Sequence, residues 1–183
     1  MKGLIVTDTA PKDTFDSGPA AARLIEELSR DPNWNNGDYY STAGIEEALT
    51  ALRIRVLKSY GFEERLDKNL SEAERALIVA GTAREWAREF DAHSLIALYR
   101  AWGRFNVEND LDKVRAKLLL ILCDTDEWFP AREGPAVMQR LRDAGVDAVF
   151  HEIHSAHGHY ATTEEPDKWT PLAKDFLRTL NDN

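Results

Sequence analysis

With 183 residues the chain has room for about one domain and a buried core. A composition of 43% hydrophobic and 30% charged residues, with 10 glycines and 7 prolines, excludes disordered, collagenous and low-complexity classes. A formal net charge of -9 argues against a nucleic-acid or membrane-surface partner, and a single cysteine, Cys123, excludes an intrachain disulfide framework and a cysteine-built zinc centre.

The first apolar run, Leu4–Thr7, is short and β-rich, too brief for a signal peptide, and no later run approaches the ~18 apolar residues of a membrane span. The expected address is therefore the cytoplasm. Residues 19–29 place Ala22, Leu24, Ile25 and Leu28 at helical spacing, and the turn formers of Asp31–Asp38 then break the pattern. Residues 42–60 resume it with Ile45, Leu49, Leu52, Val56 and Leu57, and Gly61 stops it. Ser71-Glu72-Ala73-Glu74 is a capping-box signature opening a helix to about Phe90, and another helix covers about 92–105. Residues 117–123 are apolar on both faces, the mark of a strand buried inside a parallel sheet. An amphipathic helix over 132–144 and a strand over 147–153 complete a βαβ unit, and a last helix spans about 170–180.

The predicted class is α/β, with about three mostly parallel strands and many helices. So small a sheet has two edges to protect, by helices or by strands lying elsewhere. Ligands of open α/β sheets gather beyond the carboxyl ends of the strands. Two polar clusters fall there: Cys123-Asp124-Thr125-Asp126-Glu127-Trp128-Phe129-Pro130 after the second strand, and His154-Ser155-Ala156-His157-Gly158-His159-Tyr160 after the third. His159 follows Asp126 by 33 residues, the length one crossover helix and one strand consume, so adjacent strands can deliver the two side chains to one place. A carboxylate that accepts an imidazole N–H fixes its tautomer and stabilises the imidazolium, the orienting half of a nucleophilic triad.

Four segments carry a family resemblance. Asp31-Pro32-Asn33-Trp34-Asn35-Asn36-Gly37-Asp38-Tyr39, Phe90-Asp91-Ala92-His93-Ser94-Leu95-Ile96-Ala97-Leu98-Tyr99-Arg100-Ala101, Asp126-Glu127-Trp128-Phe129-Pro130 and Glu152-Ile153-His154-Ser155-Ala156-His157-Gly158-His159 resemble, in order, motifs of the homoserine O-acetyltransferases, a group with the α/β-hydrolase fold. The resemblance implies that Asp126 and His159 are the triad acid and base. It also implies a partial α/β-hydrolase fold in which 1–36 and 110–183 form the sheet-and-helix core and 37–109 a helical lid. Where the family has Asp after the histidine, implicated in holding the substrate amine, this chain has Tyr160, which points away from homoserine and toward an uncharged or differently charged acyl substrate.

The nucleophile signature G-x-S-x-G is absent: the serines are Ser17, Ser29, Ser41, Ser59, Ser71, Ser94 and Ser155, none between glycines. Ser17 follows the first strand, but Pro19 behind it suits a helix start, and Cys123 at a strand end reads as core. The chain is thus expected to be a truncated or split member whose nucleophile strands precede Met1, inactive alone, with an acyl-CoA as a possible acyl-donor co-substrate and no bound cofactor. Trp128 and Tyr160 beside the acid and base, and Arg100 and Arg104 one helical turn apart, are the candidate substrate contacts.

Two competing readings use the same residues. An exposed sheet edge would serve a non-catalytic module that pairs with the missing half or with a second copy. His151, His154, His157 and His159 beside Asp124, Asp126 and Glu127 form a conceivable metal cluster, although His151 and His154 point to opposite faces of a strand and no H-E-x-x-H helix supports it.

Overall fold

The structure, a computed structural model, describes residues 1–13 and 19–180. Ser17 lies outside the described residues. The chain divides into two units: Met1–Lys12, Tyr60–Arg65 and Asn106–Asn183 form one, built on the sheet, and Asp13–Ser59 with Leu66–Phe105 form a helical one.

In the sheet unit, β1 (Gly3–Thr7), β2 (Lys117–Cys123) and β3 (Ala148–Ile153) lie parallel in the order β1-β2-β3. Leu4 is opposite Leu118, Val6 opposite Leu120, and Cys123 opposite Ile153. The double-sided apolar pattern of the central strand has a direct structural counterpart. Leu118, Leu120 and Leu122 face Val137, Met138 and Leu141 of α5 (Gly134–Asp143), whereas Leu119, Ile121 and Cys123 face Ile153 and, from α7 (Thr170–Thr179), Ala173 and Phe176. With side chains alternating at a period of two, a strand covered on both sides must be apolar throughout. Between β3 and α7 lies the single turn of helix α6 (Ala161–Glu164), held by the Trp169 indole N–H, which donates to the Thr162 carbonyl at 2.8 Å.

The helical unit contains α1 (Ala20–Leu28), α2 (Glu46–Ser59), α3 (Glu72–Glu89) and α4 (Ala92–Trp102). Ser71 caps α3 as its sequence implied: the Glu74 N–H donates to Ser71 Oγ at 3.3 Å and the Ser71 N–H donates to Glu74 Oε2 at 2.8 Å. Two of the four motifs meet in this unit. Both phenols of Tyr39 and Tyr40 donate to Asp91 Oδ1, the Ser94 N–H donates to Asp91 Oδ2 at 2.7 Å, and Trp34 stacks on Tyr39 at 5.6 Å. These hydrogen bonds hold the Asp91 carboxyl below the usual carboxylate range against the opposing effect of burial.

The expected division, 1–36 and 110–183 against 37–109, and the two compact units differ in three places. Residues 13–36 go with the helices, because Leu24, Leu28 and Trp34 share a core with Ile45, Leu49, Leu52 and Ile96. Residues 60–65, inside the expected lid, go with the sheet, and so do residues 106–109. An apolar stripe reveals that a helix must be covered and is silent about what covers it.

Candidate active site

Asp126 and His159 are joined. The His159 Nδ1–H donates to Asp126 Oδ2 at 2.9 Å, and the acid side chain is 0% exposed against 22% for the imidazole. The other carboxylate oxygen, Oδ1, accepts the Trp128 N–H at 2.7 Å. Both lobes of the carboxylate are thus occupied, one by the backbone of its own loop and one by the imidazole. Since an ionised carboxylate only accepts, His159 carries its proton on Nδ1 and presents Nε2 as the acceptor. Burial lowers the affinity of the imidazole for a second proton, but the Asp126 hydrogen bond and charge, helped by the charge of Asp8, outweigh it and leave the His159 pKa raised.

The two strand-end loops are stitched by a residue the sequence did not single out. The Thr125 hydroxyl donates to the Ser155 carbonyl at 2.5 Å and accepts the Gly158 N–H at 3.2 Å. This bridge sits between Asp126 and His159 and sets the register of their loops.

Tyr60 is a second residue that sequence reasoning missed. Its ring lies 4.7 Å from that of His159 between centroids and meets Trp128 edge-on at 5.0 Å, while Phe129 stands 5.9 Å from the imidazole. Close backbone packing puts Tyr60 there. Gly61 (φ 76) and Gly158 (φ 55) lie against each other's segments, and a Cβ on Gly158 would come within 3.2 Å of the Tyr60 carbonyl, one on Gly61 within 3.3 Å of the His157 carbonyl. Only glycine takes both the left-handed backbone and the approach. Phe62 and Arg65 continue the wall against Tyr160, with the Arg65 guanidinium 4.3 Å from the Tyr160 ring and ion-paired to Glu164.

Of the candidate substrate contacts, Trp128 and Tyr160 therefore lie in the aromatic wall around the His159 imidazole. Arg100 is exposed on α4 and Arg104 is exposed in the turn beyond Gly103, both in the helical unit; α4 stops at Trp102, so the two do not share a helix. Cys123 is buried, and burial pushes its thiol pKa up. The expected histidine cluster resolves into separate roles. His154 pairs with Asp124 at 2.9 Å on the surface, and Asp124, Glu152 and His154 bring ligand atoms within 4.8 Å of one another. Among the described residues no such group takes in a second histidine.

The chain is 30% identical to the homoserine O-acetyltransferase of Natronomonas pharaonis over 182 residues, which is 82% of this chain and 45% of that one. It is 26% identical to the enzyme of the same name from Haemophilus influenzae, over 84% of this chain and 48% of that protein. Among solved structures, esterase E22 superposes with a TM-score of 0.79 at 20% identity, over 97% of this chain and 54% of that one. A homoserine O-acetyltransferase from Bacillus anthracis gives 0.78 at 21%, over 97% and 53%. No family model matches the chain. The chain spans about half the length of the curated relatives it matches. Their likeness makes it a relative of the homoserine O-acetyltransferases, as its four motifs implied, and its fold is that of the α/β-hydrolases. No helix among the described residues is long and apolar enough to cross a membrane.

Proposed function

We propose that this relative of the homoserine O-acetyltransferases supplies the acid and base of a serine-type acyl-transfer site, whose nucleophile belongs to residues outside these 183. One observation carries the reading: an imidazole held at Nδ1 by a fully buried carboxylate at 2.9 Å, at the carboxyl ends of adjacent parallel strands. A hydroxyl nucleophile attacks the acyl carbonyl carbon while its proton passes to His159 Nε2, and Asp126 stabilises the imidazolium that forms. Collapse of the tetrahedral intermediate breaks the bond to the leaving alcohol or thiol, which leaves with the proton from Nε2. An acceptor hydroxyl or water then attacks the acyl group and gives its proton to Nε2; collapse breaks the acyl–nucleophile bond, and that proton passes to the nucleophile oxygen. Curated relatives named for acetyl transfer and structural neighbours that are esterases support this reaction class; an acyl-CoA or simple ester is the proposed donor. Trp128 and Tyr160 are the proposed acyl contacts.

The test joins the G-x-S-x-G portion of a homoserine O-acetyltransferase ahead of Met1. The folded chimera is expected to turn over p-nitrophenyl acetate or acetyl-CoA, and His159→Ala to cost about 10³-fold or more. A folded chimera whose turnover is indifferent to His159→Ala overturns the assignment of the base. Turnover by the 183 residues alone, abolished by His159→Ala, overturns an external nucleophile. β1 pairs only with β2 among the described strands, and we propose its open edge as the pairing surface for the strands that bring the nucleophile. A stable monomer that fails to bind the added portion in light scattering sinks that part.

A further inference from the structure

Asp8 follows the last residue of β1, and its backbone has φ 50, a left-handed conformation unusual for a residue with a side chain. The Thr162 hydroxyl donates to Asp8 Oδ2 at 2.5 Å, and Oδ1 is buried with no hydrogen-bond partner. Thr162 sits on α6, three residues past His159, and is itself fixed by the Trp169 indole on its carbonyl. The tether therefore ties the end of β1 to the turn that carries the base, and the charge of Asp8 acts on both His159 and Asp126. A half-buried carboxylate that keeps one oxygen, Oδ1, without a hydrogen-bond partner is incompletely compensated as a structural tie.

We infer that Asp8 is a second acidic partner of His159, a positioning residue tied through Thr162 to the turn that carries the imidazole. The titratable groups around this imidazole are Asp126 from the loop after β2, Asp8 from the end of β1, Tyr160 next in sequence, and Tyr60 from the inserted segment, while Arg65 is neutralised by Glu164. The two carboxylates differ in kind. Asp126 orients the ring through a hydrogen bond, and Asp8 contributes charge without one. Burial pushes the Asp8 pKa up, yet Thr162 and the charge of His159 oppose the push, so the carboxylate and the imidazolium support each other. The catalytic meaning of this assignment rests on the function proposed above; its proton-binding content does not.

The experiment is an NMR titration of the His159 ring in the 183-residue chain, with thermal denaturation alongside. Asp8→Asn preserves an acceptor for Thr162 and a residue type that tolerates the left-handed backbone, and removes only the charge. The expected result is a lower His159 midpoint, moved less than by Asp126→Asn, at an unchanged melting temperature. If Asp8→Asn does not fold, Asp8→Gly, which suits φ 50 better still, carries the same expectation for the midpoint. An unmoved His159 midpoint in a folded variant, with or without a loss of melting temperature, reduces Asp8 to a tie between β1 and α6 and overturns the assignment. Because no substrate or nucleophile enters this measurement, an inactive chimera leaves it intact, and a failed titration leaves the assignment of Asp126 and His159 intact.

Discussion

Two aspartate–imidazole pairs cap the same two strands, and their contacts are the same length. In each, the Nδ1 atom stands 2.9 Å from a carboxylate Oδ2, Asp126 with His159 in one and Asp124 with His154 in the other. The surroundings separate them. The Asp126 and His159 side chains are 0% and 22% exposed, those of Asp124 and His154 34% and 78%. Asp126 spends its second oxygen on the backbone of its own loop, and its imidazole is walled by Tyr60 and Phe129. Asp124 gives its second oxygen to the Ser155 N–H at 3.1 Å, while His154 looks into solvent with Glu152 3.7 Å away. A contact distance does not make a site. What does is the low dielectric around the pair, which magnifies the charge of the carboxylate and leaves the far ring nitrogen in a defined direction.

The contrast is broken most sharply by removing the acids in turn. Asp126→Ala deletes a buried carboxylate with two charge-assisted hydrogen bonds and strands the Trp128 N–H, so urea denaturation is expected to show a loss of about 2–4 kcal/mol. Asp124→Ala, at the surface, is expected to leave the denaturation midpoint within error. Equal losses from the two would erase the distinction.

Proton linkage is the next largest difference. The pKa of His159 is raised above the ordinary 6.5, so its charged form stabilises the fold fully at pH below 6.5, and that contribution is lost as pH rises through the folded midpoint. Asp126→Asn should flatten this segment of the stability–pH profile. His154 is raised too, chiefly by its hydrogen bond to Asp124. Because it stands in solvent, 0.5 M salt should bring its NMR midpoint back toward 6.5 while moving His159 far less.

A smaller effect sharpens the role of the aromatic wall. Tyr60→Ala removes one ring face from His159 and is expected to cost about 1 kcal/mol, with His159 ring protons moving out of the aromatic shielding region; Tyr60→Phe should preserve both. Gly61→Ala introduces strain at φ 76 together with a close Cβ contact and is expected to cost about 1–2 kcal/mol in the same assay.

The pairing of Asp126 with His159 was legible in the sequence because strand ends, crossover length and residue type all point to the same two side chains. The central strand was legible for a similar reason, since seven successive apolar or aliphatic-stemmed positions bounded by polar loops fit a doubly covered strand. Tyr60 was not, because it closes what reads as a helix and approaches His159 only through the meeting of two glycine turns far apart in the chain. Asp8 was invisible for another reason. A lone acid after a strand is ordinary, and its left-handed backbone and tether to Thr162 belong to three dimensions. Thr125 shows how a small hydroxyl between two acids can go unread while it bolts one loop to the other.

The path of the chain has a consequence for how such proteins can be recombined. The backbone passes from one unit to the other four times, at 12 to 13, 59 to 60, 65 to 66 and 105 to 106, and the middle visit deposits Tyr60 beside the base. A helical cassette excised between its outer joints, where Lys12 bridges Asn106, carries that aromatic residue away with it. In this chain a transplant between the outer joints would therefore exchange the ring that covers the imidazole together with the helices.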